Sequence, residues 1–198
     1  MNARVLLGVV ALGAIPAVAA AQHGGGAQPL VTHAPTEAAQ FDFLVGQWEL
    51  VVKPQATSLA AKLHGAPKLQ GTWKAWRALS GWGIEDELRI VDASGNPRAL
   101  SHFVRVYDAA SKHWVVAAID AYRAKVTTST AEWRGSEMVA TSQGTDDDGK
   151  VFTGRTRIFA ITATAFKYQM DRSYDGGKTW NEGLIAIEGK RVAAEAPR

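Results

Sequence analysis

Phe41-Asp42-Phe43-Leu44-Val45-Gly46-Gln47-Trp48-Glu49-Leu50-Val51-Val52 is where this chain changes its period. Before Gly46, the spacing of Phe41, Phe43 and Leu44 places apolar groups on a short helix that Thr36 is positioned to cap, suited to plugging one end of a core. After Gly46 the period becomes two, and Trp48, Leu50 and Val52 fall on one side of a strand.

The same alternation continues outward from that stretch. Leu69, Gly71, Trp73, Ala75 and Leu79 form one file, and Trp82, Ile84, Leu88 and Ile90 the next. Leu100, Val104 and Val106, then Trp114, Val116 and Ala118, then Phe166, Tyr168 and Met170 complete the series. Turn chemistry separates them at Ser94-Gly95-Asn96-Pro97, Asp108-Ala109-Ala110-Ser111, Arg134-Gly135-Ser136, Asp147-Asp148-Gly149 and Asp175-Gly176-Gly177. These signals predict an all-β domain of about nine or ten antiparallel strands with a short N-terminal plug helix. A second helix is expected only over Thr57–His64, in the long first connection. Closure into an up-and-down barrel is expected because it removes exposed strand edges.

Toward the N-terminus the chain reads as an address. Arg4 precedes the apolar run Val5 to Ile15, and Pro16 leads into the small residues Ala17 to Ala21. That is the pattern of a cleavable signal peptide, 1–21, too short to span a bilayer as a helix. Residues 22–35 read as a flexible linker, 36–190 as the barrel domain and 191–198 as a disordered tail. A periplasmic or secreted location follows from the leader. The chain has no cysteine, so neither a lipid anchor nor a disulfide is available to it. A net charge of +3 from 22 basic and 19 acidic residues is too mild and too scattered to indicate nucleic acid or an anionic membrane.

The opening Phe41-Asp42-Phe43-Leu44-Val45-Gly46-Gln47-Trp48 resembles that of the lipocalin-like, or calycin-like, barrels. Together with Ser173-Tyr174-Asp175-Gly176-Gly177-Lys178-Thr179-Trp180 it is similar to a bacterial exported family of that fold whose function is unknown. The resemblance runs from about Thr36 to Glu188. It implies a structural role for Gly46 and Trp48, the tryptophan lying across the closed end beneath an arginine from a late strand, for which Arg157 or Arg172 is the expected partner. Haem-binding nitrobindin-like barrels offer an alternative. They continue Gly-x-Trp-x-Gly-x-Gly and use a histidine near the C-terminus, whereas this chain reads Gly46-Gln47-Trp48-Glu49-Leu50-Val51 and its last histidine is His113. His102 is then the remaining candidate axial ligand.

Several motifs have a plainer reading than the chemistry they suggest. Asp175, Gly177 and Trp180 match an Asp-box, but one copy in a chain too short for a propeller makes it a hairpin device. His23-Gly24-Gly25-Gly26 looks like an oxyanion loop, yet no Gly-x-Ser-x-Gly elbow accompanies it. Cleavage after Ala20 would leave Ala21-Gln22-His23 at a free amine, a motif for Cu(II) or Ni(II). Asp146-Asp147-Asp148-Gly149 lacks calcium-loop spacing, and Glu85 and Glu87 point away from Asp86 in a strand.

Polar residues inside apolar files carry the functional expectation. Asp86 shares the file of Trp82 and Ile84, His102 that of Leu100 and Val104, and Arg172 that of Tyr168 and Met170. If these files face the lumen, Asp86 and Arg172 are placed to pair, because an unpartnered buried charge costs several kcal/mol. Trp82, Trp114 and Tyr168 would line the same cavity, and Trp73 and Trp76 must lie on opposite faces. The expected function is an exported, non-enzymatic module holding a small hydrophobic molecule, with no metal or cofactor assigned. The competing readings are a cyclase- or isomerase-like enzyme using His102 as proton shuttle, and a filled barrel with no guest.

Overall fold

The computed structural model describes residues 33–56, 63, 65–146 and 148–193. The leader, most of the linker and tail, the Ala21-Gln22-His23 motif, Asp147 and, apart from Leu63, the helix expected over Thr57–His64 lie outside the described residues.

A 3-10 helix, Thr36–Leu44, comes first, and Pro35 rather than Thr36 is its N-terminal flank, with no side-chain cap. Its Phe41 and Leu44 are buried. Strands follow as β1 (Gly46–Pro54), β2 (Leu69–Ala78), β3 (Gly83–Asp92), β4 (Pro97–Asp108) and β5 (His113–Asp120). The second half is β6 (Lys125–Arg134), β7 (Glu137–Thr145), β8 (Val151–Phe159), β9 (Ala165–Ser173) and β10 (Asn181–Arg191). Each strand pairs antiparallel with its neighbours in sequence, and β1 pairs with β10, so the sheet is a closed ten-stranded up-and-down barrel without a free edge. Among the described residues no helix is long and apolar enough to cross a membrane.

The expected files of β1, β3, β5 and β9 face inward, and so do Leu69, Gly71, Trp73 and Ala75 of β2. Trp48, Leu50, Val52, Trp73, Ala75, Ile84, Ile90, Trp114, Val116 and Phe166 are all buried. Leu79 is an exception: β2 stops at Ala78, and Leu79 lies half-exposed in a 3-10 turn at φ 52°. Trp73 is buried, while Trp76 on the outer face stands beside His102 with ring centroids 5.8 Å apart.

The plugged end is locked by an arginine, but by neither of the two expected. Arg191 stands opposite Trp48 in the β1–β10 register, with its guanidinium 4.1 Å over the indole. It donates from Nη1 to the Val45 carbonyl at 2.6 Å, from Nη2 to Phe43 at 2.7 Å and from Nε to Ala163 at 2.7 Å. Trp48 in turn donates its indole N–H to the Leu44 carbonyl at 2.7 Å, which satisfies another acceptor at the end of the helix. Gly46 has φ 126°, and a Cβ there would run into the Arg191 guanidinium, so both conformation and space demand glycine. Arg157 cannot take this place because Ile158 faces inward, and alternation sends Arg157 outward toward Asp171 and Glu137. Arg172 sits near the opposite end of β9. β10 thus reaches Arg191, one residue into the segment read as tail.

Replacing Arg191 by Met removes three charge-assisted hydrogen bonds and the stack on Trp48, and is expected to lower stability by about 2 kcal/mol. Arg191→Lys recovers less than half, because an ammonium lacks the fork that spans three carbonyls. Urea unfolding at neutral pH measures both; a Met variant as stable as the parent contradicts the assignment.

Candidate ligand site in the lumen

Above the plug lies a cavity of about 90 Å³ lined by thirteen side chains. One side is aromatic: Phe41 from the plug, Trp73, Phe103 and Tyr168. The other is a wall of Ser129, Ala131, Ala140 and Thr156 on β6, β7 and β8, with Met138 and Ile158 below. These small inward residues cannot reach the aromatic side, and the gap between the two is the cavity.

Its polar centre is an ion pair. Asp86 is fully buried, and its Oδ1 accepts the Trp73 indole N–H at 2.6 Å. Its Oδ2 pairs with Nη1 of Arg105, itself 5% exposed. Arg105 stands opposite Ile84 in the β3–β4 register, two positions from Asp86 on the same face, which is the diagonal reach of a long side chain. Its guanidinium is sandwiched between Phe103 at 4.9 Å and Phe41 at 5.1 Å. Burial pushes the Arg105 pKa down to about 9, and the group stays protonated at neutral pH. Burial pushes the Tyr168 phenol up, only partly offset by Thr156 and Arg105, so it too keeps its proton.

Of the residues expected in the lumen, Asp86 and Tyr168 are there. Trp114 faces inward and is fully buried, but it belongs to the plug, edge-on to Phe41 at 4.8 Å and donating to Gln40 Oε1 at 2.9 Å. Trp82 sits in the turn before β3 and does not line the cavity. His102 must be corrected: it faces outward, 3.4 Å from Glu85. β4 is apolar on both faces, and the file that enters the barrel is Ala99, Phe103 and Tyr107, not Leu100, Val104 and Val106. The expected Asp86–Arg172 pair is likewise absent. Arg172 lies four residues beyond Tyr168, about 13 Å along the strand, where it stacks on Phe152 at 3.9 Å and donates to the Tyr174 hydroxyl at 3.2 Å.

Two residues that the alternation pattern does not single out matter most. Arg105 carries the lumen charge, and its signal was its place in the Phe103–Tyr107 file. Asp171 is fully buried on the outer wall, in a file with Lys167 and Gln169 that reads as solvated. It accepts from Gln169 at 2.7 Å, the Gly183 N–H at 2.9 Å and Arg155 Nε at 2.9 Å. Burial pushes its pKa up, but these hydrogen bonds outweigh it and hold the carboxyl below its ordinary value. This cluster anchors the irregular start of β10 and faces no cavity.

The Asp175 hairpin is a closed hydrogen-bonded knot. Asp175 accepts from the Thr179 N–H at 2.9 Å, the Lys178 N–H at 3.0 Å, and the hydroxyls of Thr179 at 2.7 Å and Ser173 at 2.8 Å. Gly177, at φ 92°, supplies the carbonyl for the Trp180 indole at 3.0 Å.

These features define a closed, plugged, ten-stranded antiparallel barrel with an internal ion pair. In fold it is similar to the S-type phycobiliprotein lyase CPES from Guillardia theta, with TM-score 0.50 and 11% identity over 79% of this chain and 92% of that one. It is also similar to a redesigned β-barrel, mFAP0, bound to DFHBI, with TM-score 0.39 and 10% identity over 75% of this chain and 99% of that one. A third match, EF1p2_mFAP2b bound to DFHBI, has TM-score 0.40 and 10% identity over 79% of this chain and 100% of that one. No family model and no curated protein matches the chain.

Arg105→Met leaves Asp86 buried without its cation and is expected to cost about 3–5 kcal/mol, whereas Asp86→Leu combined with Arg105→Met regains more than half. Chemical denaturation of the two single variants and the double variant checks this; additive losses contradict it. Backbone hydrogen bonding from Thr179, with the Thr179 and Ser173 hydroxyls, lowers the Asp175 pKa from 3.8 to about 2. A depressed folded-state pKa stabilises above 3.8, and that stability is lost as pH falls toward 2. The thermal midpoint should therefore drop across that window, and Asp175→Asn should flatten the drop; an unchanged slope sinks the hairpin's share.

Proposed function

We propose that this protein is an exported binding module of the lipocalin-like kind, holding a small, largely apolar guest in the lumen. The observation that carries the reading is the cavity itself: small residues leave the space, and Trp73 and Arg105, held by Asp86 behind them, sit at its wall. A few convergent polar groups in an apolar recess are what a small-molecule site consists of. At about 90 Å³ the cavity is smaller than the roughly 150 Å³ hole that takes benzene elsewhere, so a deeply seated guest, or guest fragment, has few atoms. Met138 at its base can adapt to the guest's shape.

Binding is favoured over catalysis by what surrounds the space. Among the described residues no histidine lines the cavity, since His102 points outward, and Tyr168 keeps its proton. That removes the proton shuttle on which the enzyme reading relied, and equally the axial ligand of the haem reading. The unfilled space speaks against a barrel without a guest.

Native mass spectrometry of protein expressed with its leader tests the proposal. The expected species lacks residues 1–21 and carries a small adduct, while Ala140→Leu, which fills the cavity from β7, loses the adduct and keeps the fold. A parent protein without adduct, or an adduct that survives the filling, counts against a lumen guest.

A further inference from the structure

Arg105 has five N–H donors, and only Nη1 is engaged by Asp86. Among the described residues no other protein acceptor takes a hydrogen bond from it, although it is buried and lines the cavity. Asp86, by contrast, is closed off from the cavity: one oxygen holds the Trp73 indole, the other faces the Arg105 cation, and no part of it is exposed. Tyr168, beside Arg105, contributes a further hydroxyl donor. Arg105 can only donate, so the capacity it leaves unmet toward the cavity calls for an acceptor.

Charge decides which acceptor. Arg105 is the sole charged side chain among the cavity-lining residues, and Asp86 behind it already neutralises it. A carboxylate entering the lumen would make two anions share one guanidinium in a water-poor space, the arrangement that like-charge repulsion disfavours. An uncharged carbonyl gives up far less hydration and can still accept from both Arg105 and Tyr168.

We infer that the guest of this lumen presents a neutral carbonyl-type oxygen, that of a ketone, aldehyde, ester or amide, to Arg105, and that Asp86 excludes carboxylates. This rests on the binding function proposed above. The pair works as a selector: Arg105 attracts acceptors, and Asp86 supplies the repulsive element against anions.

Three matched probes separate the possibilities: cyclopentanone, methylcyclopentane and cyclopentanecarboxylate, titrated at neutral pH by NMR with the Arg105 Nε–H resonance as reporter. Cyclopentanone is expected to bind at least about tenfold more tightly than either of the others. Arg105→Met reduces the ketone to the level of the hydrocarbon, and Asp86→Asn raises carboxylate affinity by at least about tenfold. Carboxylate binding as tight as ketone binding in the parent protein overturns the inference, and the parent series decides this even if a variant fails to fold. Hydrocarbon binding as tight as the ketone also overturns it, while leaving the binding function standing. If no probe enters, both fall together.

Discussion

Asp86 and Arg105 form an ion pair inside the barrel, and much of the interior is arranged around the need to keep it satisfied. A charge removed from water is tolerated only with a partner and further hydrogen bonds. Trp73 on β2, Asp86 on β3 and Arg105 on β4 provide these from three adjacent strands, so the pair fixes the register of that wall. A slip of one residue would turn all three outward. Phe41 joins them by stacking on Arg105, which ties the plug to the wall. Three of these side chains, Phe41, Trp73 and Arg105, also bound the cavity, with Asp86 behind them.

Closure is solved separately, at the plugged end. Arg191 answers the carbonyls left at the end of the 3-10 helix and covers Trp48, so the last strand is sealed to the first where the chain enters the barrel. Between that seal and the far end the interior is lopsided. β2, β4 and β9 bring Trp73, Phe103 and Tyr168, whereas β6, β7 and β8 bring mainly alanine, serine and threonine. The cavity follows from this difference between walls.

Much of this was legible in the residues. The files through Trp48, Trp73, Ile84, Trp114 and Phe166 announced inward faces because one side of each strand is plainly more apolar than the other. β4 was misread because Val104 and Val106 compete with Phe103 and Tyr107, and that single inversion both placed His102 inside and hid Arg105. Asp86 stood out as a charge in an apolar file, yet its partner could not be named while β4 was reversed. β6 to β8 gave turns but no files, since their inward residues are too small or polar to show a period; the weakest stretch of pattern is the wall that leaves the cavity open. Arg191 is not legible in the sequence because it holds the last position of β10, where only pairing with Trp48 reveals its purpose.

The proposed guest would occupy the space beside Asp86 and Arg105. Anomalous diffraction from crystals soaked in a bromine-labelled cyclic ketone locates the guest directly. The expected result is a bromine peak within the lumen, among Trp73, Phe103, Arg105 and Tyr168. Bromine found only on the outer wall, or a lumen holding nothing but water at saturating ketone, would contradict it.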